Sequence, residues 1–507
     1  MTNHLFDGLF TNVDRSKELA ILPGGSSWTY DDALKFSGQL ANALITMGVK
    51  PGDRVAVQVP KSLEAVLLYI ACVRAGAVFL PLNTAYTAAE VSYFVGDSGA
   101  RLLVCNPKDQ EAYAHMAQSL ECRLETLGST AEDGWAEGSI VATAKDAETA
   151  FENVARASED LAAILYTSGT TGRSKGAMLS HDNLLSNSQA LKDLWQFSGS
   201  DVLLHALPIF HTHGLFVAVN VTLLSGASMI FLPGFKLDAM IELLPRSTTM
   251  MGVPTFYTRL LDDERFTRDL VAHMRLFVSG SAPLLAETHV QFEERTGHRV
   301  LERYGMTETN MNTSNPYEGE RRAGSVGFPL PGVQVRVCDP DDGNEVAAQE
   351  VGMIEVSGPN VFAGYWNMPE KTASEFRDDG FFITGDLGKI DADGYLHIVG
   401  RSKDLIISGG LNIYPKEIEL VLDDQPGVLE SAVIGVPHPD FGEAVVAVLV
   451  ASASGLETAT VGEAIGPQLA RFKHPKHMEI VNELPRNTMG KVQKNVLRDR
   501  LTDLFSN

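Results

Sequence analysis

Cysteine is scarce in this sequence: Cys72, Cys105, Cys122 and Cys338 are scattered along the chain, and no CxxC pair occurs. That pattern excludes a disulfide framework and a cysteine-built zinc site, and it suits a reducing compartment, so a cytoplasmic location is expected. Positive charge is in short supply too. The 41 Lys and Arg residues face 64 Asp and Glu residues, a net charge of -23. Such a field repels nucleic acid and anionic lipid, and neither is expected as a partner. A small anionic ligand would therefore need a cationic pocket of its own. No apolar run approaches the roughly 18 residues of a membrane helix, and MTNHLFDGLF has no basic segment followed by a long apolar one, so no membrane span and no targeting leader are expected. Internal repeats and heptads are absent as well, which sets solenoids and coiled coils aside.

What is present is ample apolar material. The chain is 44% hydrophobic and 21% charged over 507 residues, too long for one core and well able to bury several. Apolar runs bounded by Gly, Pro and Asp, such as RVAVQV from Arg54, RLLVC from Arg101, LAAILY from Leu161 and ASMIFL from Ala227, read as buried strands. Helical patterns lie between them, SLEAVLLYIACVRAG from Ser62 among them. The alternation predicts an α/β fold with parallel sheets. Beyond about residue 325 the texture becomes short strands with Gly, Asp and Pro turns, which predicts a small twisted sheet or β-barrel-like region. The charged and Gly-rich GRSKDLIISGG, followed by an expected helix from Pro415 to Asp423 and strand from Ser431 to Val436, places a domain boundary near residue 402. The expected division is 1–401 and 402–507.

Several short stretches carry chemistry. TSGTTGRSKG, Thr167 to Gly176, follows the strand LAAILY; its glycines allow close backbone approach, its hydroxyls donate, and Arg173 and Lys175 add charge, which equips it to hold polyphosphate. It is not a Walker loop, because Lys175 precedes Gly176 where that motif needs Ser or Thr after the lysine. ERYGMTET places Thr307 and Glu308 after a Tyr-Gly turn, where a hydroxyl can meet phosphate and a carboxylate can hold Mg²⁺; a helix start with an acidic first turn is the bland alternative. SGSAPL, from Ser279, is a small-residue turn after a strand. HTHG, from His211, invites a metal reading that no second ligand cluster supports. Near the end, PRNTMGKVQKNVLR sets Arg486, Lys491, Lys494 and Arg498 around Gly490 in an otherwise acidic chain; the bland reading is a basic loop leading into a surface helix, with Arg486, Lys494 and Arg498 as a solvated basic face.

In order, TSGTTGRSKG, HTHG, SGSAPL, ERYGMTET, GYW (Gly364 to Trp366), FFITGDLG, GRSKDLI and PRNTMGK resemble the adenylate-forming superfamily over nearly the whole chain. Within it, HTHGL, GVPTFYTRL, SGSAPL and ERYGMTETNMNTSNP look like the malonyl-CoA synthetases. The resemblance implies a large N-terminal domain for ATP and the acid, and a smaller, mobile α+β C-terminal domain. It implies a phosphate loop of Thr167, Ser168, Gly169, Thr170, Thr171, Gly172 and Lys175. Thr307 would touch the α-phosphate, Glu308 would bind Mg²⁺, Tyr304, Gly305 and Met306 would border adenine, and Asp386 and Arg401 would hold the ribose. Lys491 matches the catalytic lysine that bridges the attacking carboxylate and the α-phosphate. Lys403 matches the hinge, Ser408 to Gly410 would face a thiol tunnel, and Lys473 would reach CoA phosphate.

A malonate site must also receive a second carboxylate, which cannot be buried unpaired. Arg259 is expected to grip it, with His213 and Ser281 completing the cage; the bland reading makes Arg259 a surface residue of a helix. The expected reaction converts ATP, malonate and CoA to malonyl-CoA, AMP and diphosphate through a malonyl-adenylate. Methylmalonate, larger by a methyl, is the nearest rival substrate. Family members are regulated by acetylation of the catalytic lysine, so an acetyltransferase acting on Lys491 is an expected partner.

Overall fold

The computed structural model describes residues 2–11, 13–128, 136–167, 174–340, 342–408, 411–452, 454–469, 471–487 and 490–505. Two compact units emerge, Met1–Val335 with Val356–Phe382, and Arg336–Glu355 with Ile383–Asn507. A boundary near residue 402 falls inside the second of these.

The first unit is built on two sheets. In one, Arg123–Thr126, Leu102–Cys105, Arg54–Gln58, Val78–Pro81, Leu161–Thr167 and Lys175–Ser180 lie side by side. All pair in parallel except the last, which folds back antiparallel on Leu161–Thr167. The other has nine strands, with a parallel block made of Glu18–Ile21, Ser228–Phe231, Val202–His205, Thr249–Gly252, Leu276–Ser279 and Leu301–Met306. Their continuous apolar runs follow from burial on both faces. The four strands foreseen in this unit are present within a residue or two of their expected ends.

The helix Leu63–Ala75 shows how the sequence sets such elements. Ser62 caps it by accepting from Ala65 N, and Gly76 ends it in the left-handed conformation. Every residue of it is buried, Glu64 and Arg74 included. Those two charges are satisfied in place: Glu64 accepts from Ala136 N at 2.7 Å, and Arg74 donates to Leu34 O at 2.7 Å.

The turn-rich stretch forms a four-stranded sheet of Gln334–Cys338, Gly352–Ser357, Phe382–Ile390 and Leu396–Arg401, most of whose residues belong to the second unit. A further sheet centres on the hairpin Val428–His438 and Gly442–Ala451. Strand alternation splits that hairpin between two small cores: Val433, Val445 and Leu449 face Ile418 and Leu422 of the helix Pro415–Asp423, while Ile434, Val446 and Val448 face Leu484 and Leu497.

Candidate functional site

The chemistry of the first unit gathers at the carboxyl ends of parallel strands, the usual place for ligands in open α/β sheets. Leu161–Thr167 ends on Thr167, which pairs in register with Lys175 across the edge hairpin. Ser168, Gly169, Thr170, Thr171 and Gly172 lie outside the described residues. The strand Leu301–Met306 carries buried Tyr304 and half-buried Gly305 and Met306, and returns antiparallel as Asn310–Ser314. Thr307 and Glu308 therefore sit in a hairpin turn, not at a helix start. Gly305 is required there, since a Cβ would lie 1.9 Å from the Asn310 carbonyl.

Glu308 is buried, and Oη of Tyr365 lies 3.0 Å from its Oε1. The same hydroxyl is 2.7 Å from Glu375 Oε2, and Glu375 Oε1 meets Lys175 Nζ at 3.3 Å. One phenol proton thus serves two carboxylates, an arrangement that a divalent cation at Glu308 would relieve. Among the described residues no group of three His, Cys, Asp or Glu side chains gathers into a metal cage. Mg²⁺ needs none, because it is ordinarily held by one or two carboxylates together with substrate phosphates and water. The residues present fit it.

A second cluster lies where HTHG, SGSAPL and ERYGMTET converge. His213 is fully buried, and its Nδ1 is 3.2 Å from Ser281 Oγ. Ser281 takes a left-handed φ of 72° to present that hydroxyl. Beside them runs Arg303, 4% exposed, against Gly280, where a Cβ would lie 2.3 Å from its Cζ. Among the described residues, Nε and Nη2 of Arg303 and Nε2 of His213 are buried and meet no hydrogen-bond partner. Desolvation pushes the guanidinium down to about 9, which still leaves it cationic at neutral pH. Desolvation first, and then Arg303, His211 and His205, hold the His213 imidazole well below 6.5, so it stays neutral.

Arg259 is placed differently. It lies on the exposed face of the helix Pro254–Leu261, with its Cζ 5.7 Å from the Phe235 ring. The buried guanidinium of this cluster is Arg303, which motif reading passed over. Its only trace in the sequence is a cation inside the strand LERYGM, flanked by Glu302 and Tyr304, both buried.

In the second unit Asp386 and Arg401 are register partners, with Arg401 Nε 2.7 Å from Asp386 Oδ1. Asp386 N also donates to Thr384 Oγ1 at 3.0 Å, so the carboxylate stands on a fixed backbone. Lys403 follows in the short turn Ser402–Asp404. The terminal basic residues divide in two. Arg486 pairs with Glu430 and donates to Gly490 O at 2.6 Å, Lys494 pairs with Glu419 at 2.5 Å, and Arg498 pairs with Asp404 at 2.6 Å. They are therefore not a freely solvated basic face. Lys473 likewise pairs with Glu417 at 2.5 Å. Lys491 makes no ion pair among the described residues; its backbone is pinned by Asn487, whose Oδ1 accepts from Lys491 N at 2.9 Å. The residue as a whole is exposed, yet its ammonium is pushed down to about 8, first by desolvation and then by Arg401 and Lys403, against Asp386 and Asp404. Exposure sums over backbone and stem, whereas desolvation acts on the charged end, and the shift follows the latter. Of Ser408 to Gly410, only Ser408 lies within the described residues.

The AMP-binding enzyme family matches residues 9–366, and the AMP-binding enzyme C-terminal domain matches residues 417–491. The chain belongs to the AMP-binding enzyme family. A malonate–CoA ligase of Arabidopsis thaliana is 34% identical over 98% of this chain and 88% of its own length. A feruloyl-CoA synthase of Amycolatopsis is 36% identical over 95% of each chain. Identity at this level is thus shared by ligases of quite different acids. Among solved structures, ATP-bound MatB of Rhodopseudomonas palustris superposes with a TM-score of 0.96 at 57% identity, covering 100% of both chains.

Proposed function

We propose that this protein is an AMP-forming acid–thiol ligase whose acid is malonate. The observation that carries the choice of acid is the buried Arg303 guanidinium with two unpartnered nitrogens, Nε and Nη2, beside Ser281 and neutral His213. An uncompensated buried cation costs several kcal/mol, and a simple fatty or aromatic acid offers nothing to offset it. A dicarboxylic acid does. Its reacting carboxylate goes to ATP while its second carboxylate receives Arg303 with parallel hydrogen bonds. The likeness to malonate–CoA ligases and to MatB supports the same reading.

The malonate carboxylate attacks the α-phosphorus of ATP, pyrophosphate leaves, and malonyl-adenylate remains. The CoA sulfur then attacks the acyl carbonyl and AMP leaves. Thr167 and Lys175 hold the phosphates together with the loop between them, and Thr307 donates to the α-phosphate. Mg²⁺, held by Glu308, would neutralise phosphate charge. Asp386 accepts from the ribose hydroxyls beside Arg401, while Tyr304, Gly305 and Met306 border the base. Lys491 brings its cation to the two anions that must meet in the first half-reaction. Lys403, near the start of the segment 402–507, acts as a hinge that lets Lys491 withdraw for the second half. An exposed lysine with a lowered pKa is also open to acetylation, which would abolish its charge. Four buried, unpaired cysteines agree with a cytoplasmic setting, and no helix among the described residues is long and apolar enough to cross a membrane.

The test is AMP release with malonate, methylmalonate, succinate and acetate for wild type, Arg303→Met and Arg259→Ala. Wild type should prefer malonate, and Arg303→Met should lose about 100-fold in kcat/KM for malonate while acetate turnover changes little. Equal losses for all four acids, or wild-type indifference between acetate and malonate, would overturn the malonate reading and leave the ligase.

A further inference from the structure

Lys175, Glu375, Tyr365 and Glu308 form one connected cluster, and the reading of Lys175 as a phosphate ligand leaves its carboxylate partner without a role. Glu375 follows directly on the short helix Pro369–Ser374, 200 residues away from Lys175 in the chain. The two side chains are 17% and 20% exposed, and the Lys175 ammonium also sits 3.9 Å from the centre of the Tyr365 ring. Lys175 thus already has an anion and an aromatic face before any phosphate arrives. A polyphosphate claiming that ammonium must compete with Glu375, and once bound it faces the same carboxylate as a like charge.

The cluster also contains what a handover needs. Lys371 meets the very oxygen of Glu375 that holds Lys175, at 2.6 Å, and Tyr365 reaches the other oxygen at 2.7 Å. Glu375 therefore keeps a cation and a donor when Lys175 leaves. Tyr365 is buried and tied by Thr372, whose Oγ1 accepts from Tyr365 N at 2.9 Å, so the hydroxyl stays between Glu375 and Glu308. We propose that Glu375 is a built-in competitor of the nucleotide: it holds Lys175 in the absence of phosphate, yields it when ATP binds, and thereby sets ATP affinity. It is a positioning residue that acts through Lys175 and Tyr365.

This rests on the phosphate role assigned to Lys175 above, and calorimetric ATP binding separates the two claims. Binding is measured on the full chain with and without Mg²⁺, for wild type, Glu375→Gln, Glu375→Ala, Lys175→Met and the Lys175→Met/Glu375→Gln pair. Competition predicts that both Glu375 variants bind ATP about three- to tenfold more tightly, in either condition, and that the gain disappears on the Lys175→Met background. Equal or weaker ATP binding by both Glu375 variants, with Lys175→Met weakened, overturns the competitor and leaves the phosphate role standing. Unchanged binding by Lys175→Met sinks the phosphate role and the competitor with it. Melting curves accompany each variant, so that loss of the fold is read separately from loss of affinity.

Discussion

Arg275 and Arg303 stand in the same unit, and the protein treats them in opposite ways. Arg275 meets Asp201 through two parallel contacts, Nε to Oδ1 at 2.6 Å and Nη2 to Oδ2 at 2.8 Å, and it lies between Phe197 and Tyr317. Burial works most strongly against its charge, but Asp201 and Tyr317 together outweigh it and hold the guanidinium above its ordinary value. Arg303 is more deeply buried, has no such partner, and is pushed down. The second unit repeats the contrast, with Arg486, Lys494 and Arg498 each given a carboxylate and Lys491 given none among the described residues. Arg275, Arg486, Lys494 and Arg498 each meet a carboxylate of the fold, whereas Arg303 and Lys491 meet none among the described residues.

Lys491→Ala tests this contrast with the largest expected effect. Adenylation, followed as pyrophosphate release, should fall by about 10³-fold with any acid, while thioester formation from supplied malonyl-adenylate should survive; equal loss of both halves would make Lys491 structural. Next come opposite outcomes in stability. Asp201→Asn leaves Arg275 without its counter-ion and should cost about 3 kcal/mol in urea unfolding, whereas Arg303→Met should be neutral or stabilising, because it removes a charge the apoprotein does not compensate. If Arg303→Met is the costlier of the two, the distinction between them fails.

A third class of buried base avoids the problem by giving up its proton. Burial, mainly, lowers the His181 imidazole to about 4 from an ordinary 6.5, so the unfolded chain binds a proton in that window that the native protein does not. Stability contributed by the neutral ring is complete above pH 6.5 and is lost as pH falls towards 4, by up to about 1.4 kcal/mol per pH unit. Melting temperature should fall from pH 7 to pH 5, and less steeply in His181→Asn; identical slopes would remove His181 from the account. The smallest effect belongs to Arg259→Ala. An exposed cation over Phe235 should change malonate kcat/KM by no more than about threefold, and a selective loss of malonate would restore Arg259 as the distal carboxylate's partner.

Legibility from sequence followed the range of the forces involved. The helix Pro415–Asp423 was legible to the residue, because Pro at its start and a 3.6-residue apolar pattern are local signals. The strand foreseen from Ser431 runs longer, Val428–His438, because pairing with Gly442–Ala451 extends it beyond its apolar stretch. The turn holding Thr307 and Glu308 was visible, but its hairpin form depends on Gly305 passing under Asn310 O. Tyr365 stood in a recognised motif without a role, and Glu375 in none, since their partners Glu308 and Lys175 lie 57 and 200 residues away.

By itself the sequence determined the alternation of strands and helices, the glycine-bearing loops at strand ends, and the kinds of side chain those loops carry. All of these are set by neighbours a few positions away. Only the tertiary structure decided which cations meet a carboxylate of the protein and which do not. His213 and Ser281 meet across 68 residues of chain, and Asp201 and Arg275 across 74. A charge is satisfied or stranded by what the fold brings within about 3 Å of it, and no local pattern encodes that distance.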